Sequence, residues 1–525
     1  MNYLIKLAIC SFILGCKLIE GTSQTIIDIS SYDPNDENTH TFYSFIQLLG
    51  GNGTEVVVKT NSTYQTGFYI VQAHSQRFNI SLSNNVDVTQ KVDGYNVGLV
   101  KAFQGAFEDS FSIQKLTDND SVIIDSTILI AVAVYDEKAP IPGGCMTKNN
   151  ASPILKVSNS PDIITVKAMA PSSNNHTCND SQHEVRMEIY HKYLTSQIFS
   201  SSEYYEGIIS MLRVDKIKAH SKLVATLDSY SSIEELFSSY IGTGEVFAVL
   251  VYNNEKVSAY VPAVSYGEDV NYLIDKENEG TSGQDVFVVL FSILPFVALV
   301  IIYRGHALFH FTTFSLGLSC GTIISFVVLS KEGATTVDHT FFLSLLFGLL
   351  YGSIWLGVWY KFGIPLLSAT LAFLHAGALF TSIIYHFGVA DDVNFHNNAI
   401  YWTIFFGIVF MCWFTLSMFT MHGHILSCCF LGSYILMITT LNYWLGGNLQ
   451  YIMINVYRRM FVPNFNVAII QPPFQVSDHL IALLGILFLL HGFRKQVKHQ
   501  RGKPPFPPHN SFRPDEERSP LLGHF

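Results

Sequence analysis

Two sets of residues in this chain have the types and spacing to do chemistry. The run GLSCG at Gly317–Gly321 fits G-x-S-x-G, in which a serine on a strained strand-to-helix turn acts as nucleophile. His375 would serve as its base, because a serine hydroxyl is a weak nucleophile until a neighbour takes its proton. No carboxylate is evident to orient that histidine. Histidines form the second set. His306 and His310 stand four apart, on one helix face as metal ligands do, and His375, His386, His422, His424, His479 and His491 follow. The setting argues against both. GLSCG sits inside a long apolar run and also fits G-x-x-x-G, whose glycines let membrane helices approach closely. GLLYG at Gly348–Gly352 repeats that spacing without a serine, so packing explains both motifs and catalysis by Ser319 only one. Most of the histidines fall at the ends of apolar runs. The acid and histidine pairs of zinc-dependent seven-span lipid hydrolases are missing from the last run at that spacing. The expectation is no catalytic residue, no metal and no cofactor.

The elements that would position these residues are seven apolar runs: Val286–Tyr303, Leu308–Ser330, Phe341–Tyr360, Phe362–Tyr385, Ala399–Thr420, His424–Leu445 and Val476–Phe493. Each approaches the ~20 residues that cross about 30 Å of hydrocarbon. All are uncharged except for Asp478 near the start of the last, and only Lys361 separates the third from the fourth, implying a tight turn. A transporter or proton pump places ionisable groups within the bilayer, and here only His375 is mid-span. A rhodopsin-type receptor is disfavoured by WYKFG where D-R-Y is expected and by the lack of N-P-x-x-Y in the seventh run.

Charge divides the chain in the same way. Gly21–Asp285 holds 17 basic and 32 acidic residues, Val286–Phe493 five of each sign, and the tail from Arg494 seven basic and three acidic. Nothing in this distribution points to nucleic acid. Residues 1–21 read as a signal peptide, Lys6 preceding the apolar LAICSFIL; ILGC ending at Cys16 also loosely resembles a lipoprotein box. Seven N-x-[ST] sequons, at Asn52, Asn61, Asn79, Asn119, Asn150, Asn175 and Asn179, all precede the apolar runs, as expected of a lumenal or extracellular front half. That half, once mature, keeps Cys145 and Cys178, whose expected fate in an oxidising compartment is one disulfide, two free thiols being the plain alternative. Closing a loop of about thirty residues contributes roughly 3–4 kcal/mol. Seven crossings from an outside start put the C-terminus in the cytosol. The positive-inside rule agrees: Arg304, Lys361, Arg494, Lys495, Lys498, Arg501 and Lys503 fall on that side, against Lys331 and the pair Arg458–Arg459 in a loop on the other.

The front half alternates short β-rich runs such as EVVVK, GFYIVQ, ILIAVAVY and VFAVLVY with turn clusters, predicting a β-sandwich-like ectodomain, one sandwich or two. The expected organisation is a signal peptide at 1–21, β-rich halves at 22–140 and 141–285 divided near APIPGGC, a seven-helix transmembrane bundle at 286–493 and a cytosolic tail at 494–525. SSIEELFSSY reads as a helix, with Ser232 and Glu235 spaced as a capping box.

Two motifs mark the tail. Arg501, Pro504 and Pro507 fit R-x-x-P-x-x-P, a polyproline II ligand for a Src-homology-3 domain, with a neutral spacer as the plainer reading. ERSPLL, Glu517–Leu522, fits the acidic dileucine pattern that clathrin adaptors read on cytosolic tails: Leu521 and Leu522 enter an apolar slot while Glu517 meets a basic patch.

In their order and spacing PIPGGC (140–145), AYVPA (259–263), WYKFGI (359–364), GSY (432–434), YIMINVYRR (451–459), PFQVSD (473–478), RGKPPFPPH (501–509) and ERSPLL resemble transmembrane 7 superfamily member 3, a group related in its membrane half to transmembrane protein 198. The likeness runs from ectodomain to tail. The chain departs from the group in a shorter segment between PPH and ERSPLL and in lacking a second ectodomain cysteine pair. The resemblance implies a seven-span protein of surface or endomembrane location, associated with cell survival under secretory-pathway stress and with insulin secretion, and brings no enzymatic activity or agreed ligand. The expected protein is a non-enzymatic glycosylated membrane protein at the plasma membrane or endolysosomal membranes, supporting secretory-pathway homeostasis and the unfolded-protein response. Its expected partners are membrane lipids, a clathrin adaptor, a polyproline-binding domain at Arg501–Pro507 and an unidentified ectodomain ligand. The rivals are a cargo-trafficking factor of the endomembrane system and an intramembrane hydrolase using Ser319 or the membrane histidines.

Overall fold

The computed structural model describes residues 24–33, 36–48, 53–62, 66–85, 90–116, 126–145, 152–172, 185–228, 232–279, 285–332, 337–388, 393–441 and 447–507. The chain forms two compact units. The first comprises residues up to 158, with 165–234 and 244–266; the second comprises 159–164, 235–243 and everything from 267 onward.

β-Branched runs build the front of the first unit. Nine strands, β1 (Thr25–Asp28), β2 (Thr41–Gln47), β3 (Thr54–Thr60), β4 (Thr66–His74), β5 (Ile80–Asn84), β6 (Lys91–Gly94), β7 (Asn96–Gln104), β8 (Phe107–Lys115) and β9 (Thr127–Asp136), form two sheets. Their orders are β1-β3-β8-β5-β6 and β2-β9-β4-β7. β1 runs parallel to β3 and the other pairs are antiparallel. Alternate residues point inward, as the period of two requires: Val56 and Val58 from one sheet meet Tyr69, Val71, Ala73, Ile130 and Val132 from the other in one buried core.

A second sandwich follows. β10 (Leu155–Asn159), β11 (Ile163–Ala168) and β14 (Ile233–Ser238) make a three-stranded sheet. β12 (Val185–Tyr193), β13 (Lys222–Asp228), β15 (Glu245–Asn253), β16 (Lys256–Ala259) and β17 (Ala263–Ser265) make the other, with β15 central. Helices α1 (Ser201–Ile209) and α2 (Val214–His220) lie between β12 and β13, and Ser200 caps the first by accepting from the Glu203 backbone N–H.

One element differs in kind from the sequence expectation. SSIEELFSSY is not a helix: Ile233–Ser238 is a strand, with Ile233 and Phe237 buried. Its partners are β11 on one side and the isolated residue Ile469, whose N–H donates to the Leu236 carbonyl at 2.7 Å and whose carbonyl accepts from Ser238 N–H at 3.0 Å. Helix propensity differs by only tenths of a kcal/mol among these residues, and paired backbone groups outweigh it.

The second unit is helical: α3 (Val270–Glu279), α4 (Asp285–Arg304), α5 (Phe309–Glu332), α6 (Val337–Phe362), α7 (Pro365–Gly388), α8 (Asn398–Met418), α9 (Thr420–Leu436), α10 (Tyr451–Phe461) and α11 (Val476–Gln500). The described residues of each of the seven apolar runs lie mainly on one helix. Among the described residues six helices are long and apolar enough to cross a membrane, with Ser292–Arg304 of α4 as a shorter apolar stretch. Boundaries differ where turn chemistry decides. Lys361 lies in the last turn of α6; the break comes at Gly363, whose φ of +62° favours glycine, and Pro365 then opens α7 in the position where its missing N–H costs nothing. α9 ends in a π-helical turn over Met437–Leu441.

The G-x-x-x-G faces join α5 to α6. A Cβ on Gly317 would stand 2.8 Å from the Gly352 Cα, and one on Gly321 would stand 3.0 Å from the Gly348 Cα. All four glycines are spent on backbone approach, the geometry that membrane helices use where no hydrophobic effect drives association.

Candidate functional site

Ser319 and His375 do meet. α5 places the serine on a face other than that of Gly317 and Gly321, and its Oγ lies 3.0 Å from His375 Nε2 on α7. His375 Nδ1 donates to the Leu371 carbonyl one turn back, at 2.8 Å, which leaves Nε2 as acceptor for the serine proton. The Leu316 carbonyl competes for that proton, also at 3.0 Å. A backbone carbonyl thus sets the tautomer, where triads use a carboxylate. The surrounding N–H groups are spent within an unbroken helix, whereas a nucleophile elbow turns them toward an oxyanion. The pair satisfies two polar groups between helices.

His306 and His310 do not share a site. His306, in the α4–α5 turn, faces His424 of α9, with the two Nδ1 atoms 3.1 Å apart. Its Nε2 donates to the Pro505 carbonyl at 2.8 Å, so His424 supplies the proton between the rings. Gln496 of α11 completes the cluster, accepting from His306 N–H at 2.9 Å and donating to the Ile302 carbonyl at 2.7 Å. Phe506 packs its ring against His306 and Phe309. Thus part of Arg501–Pro507 is docked on the end of the bundle, though Arg501 and Pro504 remain exposed. His310 accepts from Trp359 Nε1 at 3.2 Å and stacks on Tyr360. His386 packs on Phe474 and His491 on Tyr303. Among the described residues no three His, Cys, Asp or Glu groups are arranged to hold a metal ion.

The pair Arg458–Arg459 lies, as expected, between the sixth and seventh apolar runs, but on a helix, α10, and both side chains are buried. Arg458 Nε pairs with Asp162 at 2.8 Å, and its terminal nitrogens donate to the carbonyls of Ser239 (2.7 Å) and Pro161 (2.9 Å). Arg459 lies 3.8 Å from the Tyr401 ring centroid and donates to Asn398 at 3.2 Å and to the Phe395 carbonyl. A planar guanidinium suits both roles, a fork of donors and a face for stacking. Sequence reasoning missed this site, although the helical spacing of Ile452 and Val456 beside the arginines in YIMINVYRRMF was there to be read. Asp478 is a cap: its carboxylate accepts from Asn448 N–H at 2.6 Å and from Gln475 N–H at 2.8 Å at the start of α11.

In the first unit Asn61 and Asn79 are exposed. Asn52, Asn119, Asn150, Asn175 and Asn179 lie outside the described residues, as do Glu517, Leu521 and Leu522. Cys145 is disulfide-bonded, and Cys178 also lies outside the described residues.

Fold and site together define a multi-pass membrane protein with immunoglobulin-like domains ahead of a helical bundle. Three family models match: the TM7SF3-like N-terminal immunoglobulin-like domain over residues 35–128, the TM7SF3-like second immunoglobulin-like domain over 140–271, and the TM7S3/TM198-like domain over 291–497. The chain is 25% identical over 484 residues to mouse (Mus musculus) transmembrane 7 superfamily member 3, covering 89% of this chain and 84% of that one. To the human (Homo sapiens) protein it is 24% identical over 461 residues, covering 84% and 79%. The chain belongs to the transmembrane 7 superfamily member 3 family. Among solved structures it is similar to a putative beta-galactosidase from Bacteroides fragilis, 10% identical with a TM-score of 0.20 over 39% of this chain and 31% of that one.

Proposed function

We propose that the protein is a non-enzymatic, glycosylated membrane protein whose ectodomain takes up a lumenal or extracellular ligand. Through the bundle it supports secretory-pathway homeostasis, the unfolded-protein response and cell survival, with regulated secretion, including that of insulin, as a use in cells that perform it. The observation that carries this reading is the clamp at Arg458. Residues 159–164 and 235–243 belong by sequence to the second immunoglobulin-like domain, yet form one compact unit with the helices. A ligand that changes that domain therefore reaches Arg458 along the chain.

The topology of this reading has a cleaved leader at 1–21, glycans on the seven sequons, the front half outside and the tail in the cytosol. A clathrin adaptor at Glu517, Leu521 and Leu522 routes the protein between the surface and endolysosomal membranes, and a polyproline-binding domain takes Arg501–Pro507. The 3.0 Å approach of Ser319 to His375 favours one second reading, an intramembrane hydrolase.

The test is rescue. Cells lacking the protein are challenged with an inhibitor of glycosylation in the endoplasmic reticulum, and survival and a stress reporter are followed. The wild-type chain and Ser319→Ala are expected to rescue equally, and Arg458→Met, expressed to the same level, is expected to fail. Loss of rescue with Ser319→Ala would replace the leading reading with the hydrolase. Retention of one defined cargo in the null cells would replace it with a trafficking role.

A further inference from the structure

α7, α8, α9 and α11 enclose a groove of about 740 Å³ with an almost wholly carbon wall. This lies within the usual size of small-molecule sites. Gly377 and Gly407, on its wall, fall near the middle of α7 and α8, so the groove lies at hydrocarbon depth, where the surrounding solvent is lipid. Lipid is the molecule at hand to fill it, and the wall indicates which class.

Three features select. No charged side chain lines the groove, so what it contacts is an apolar body and not a charged group. Gly407 is not needed for packing: a Cβ there would meet nothing within 4 Å, so the glycine leaves a flat stretch of α8 open. Of the two hydroxyls on the wall, those of Thr415 and Ser427, the second is the one left to pair. It is fully buried and its hydroxyl has no partner, whereas Thr381, Ser382 and Thr415 donate to the carbonyl one helical turn back. An unpartnered buried hydroxyl costs about 1–3 kcal/mol, and a rotation between staggered rotamers re-aims it.

We propose that the groove binds a sterol: a rigid, flat, fused-ring body lies against the open face at Gly407, and its single hydroxyl pairs with Ser427. The test uses the full-length protein in nanodiscs with a photoreactive sterol probe, and in parallel a phosphatidylcholine probe with a photoreactive acyl chain. The sterol probe is expected to label peptides of α8 and α9, and excess unlabelled cholesterol is expected to displace it. Gly407→Leu, whose Cβ meets nothing within 4 Å, should abolish that labelling, and Gly407→Ala should lower it in part. Ser427→Ala should weaken competition by cholesterol roughly two- to tenfold, the worth of one neutral hydrogen bond. Equal labelling of the same peptides by the phosphatidylcholine probe, undisplaced by cholesterol, would overturn the proposal in favour of general lipid filling. Sterol labelling unchanged in Gly407→Leu would overturn it outright.

Discussion

His74 is the ionisable group of the ectodomain on which acid should act first. It is fully buried at the end of β4, its Nδ1 donating to Asn96 at 2.8 Å, and burial pushes its pKa down to about 4. An unfolded histidine titrates near 6.5. Between those values the unfolded state binds the extra proton, so the contribution is whole above pH 6.5 and is lost as the pH falls toward 4. The loss amounts to about 3 kcal/mol over that window. Amide protection factors across β4 and β7 in the full-length protein, taken relative to the intrinsic exchange rate at each pH, should fall as pH drops through that range, and His74→Gln should flatten the dependence. At Arg458 the effect is one of partners. Arg458→Met leaves the Pro161 and Ser239 carbonyls without their donor, at about 1–3 kcal/mol each; the expected result is a lower unfolding midpoint in detergent and faster exchange at Ser238 and Ser239. Residue chemistry was only partly legible. The sequence named Ser319 and His375 as a possible pair, and they do touch, but a hydrogen bond that seals two helices and one that activates a nucleophile use the same residues. What separates them is the direction of the neighbouring N–H groups, which sequence does not carry.

Elements were legible where the solvent imposes one solution. In hydrocarbon every backbone group must be paired within the segment or a barrel, so the apolar runs had little choice but helix, and their glycine spacing had a mechanical meaning. That meaning is testable: Gly352→Leu drives a side chain toward the Phe314 carbonyl, 2.8 Å from its Cβ position. Overpacking of this kind costs about 1–3 kcal/mol. The expected outcome is a lower thermal midpoint, with no comparable loss in Gly357→Leu, where the Cβ meets nothing within 4 Å. The ectodomain offered weaker guidance. S-x-x-E occurs at both Ser200–Glu203 and Ser232–Glu235; the first caps a helix and the second opens a strand. The local codes are alike, and the decision rests with β11 and Ile469, remote in sequence.

For the whole molecule, the acidic front, neutral middle and basic end already gave the order of parts. Composition could not say that two short pieces of the front would fold with the helices, because that depends on a buried arginine and its distant carbonyls. The tail belongs to this scale too. If the dileucine acts as a sorting signal, Leu521→Ala with Leu522→Ala should raise surface abundance several-fold in a biotinylation assay, and an unchanged distribution would reduce the motif to coincidence. The ring of Phe506 against His306 and Phe309 also makes Arg501–Pro507 a contested ligand. If a polyproline-binding domain takes this stretch, it has to compete with the chain's own bundle, and its apparent affinity then scales with the undocked fraction. On that condition, any event that loosens the His306–His424 end of the bundle would register as tighter recruitment, making the tail a gauge of the state of the helices.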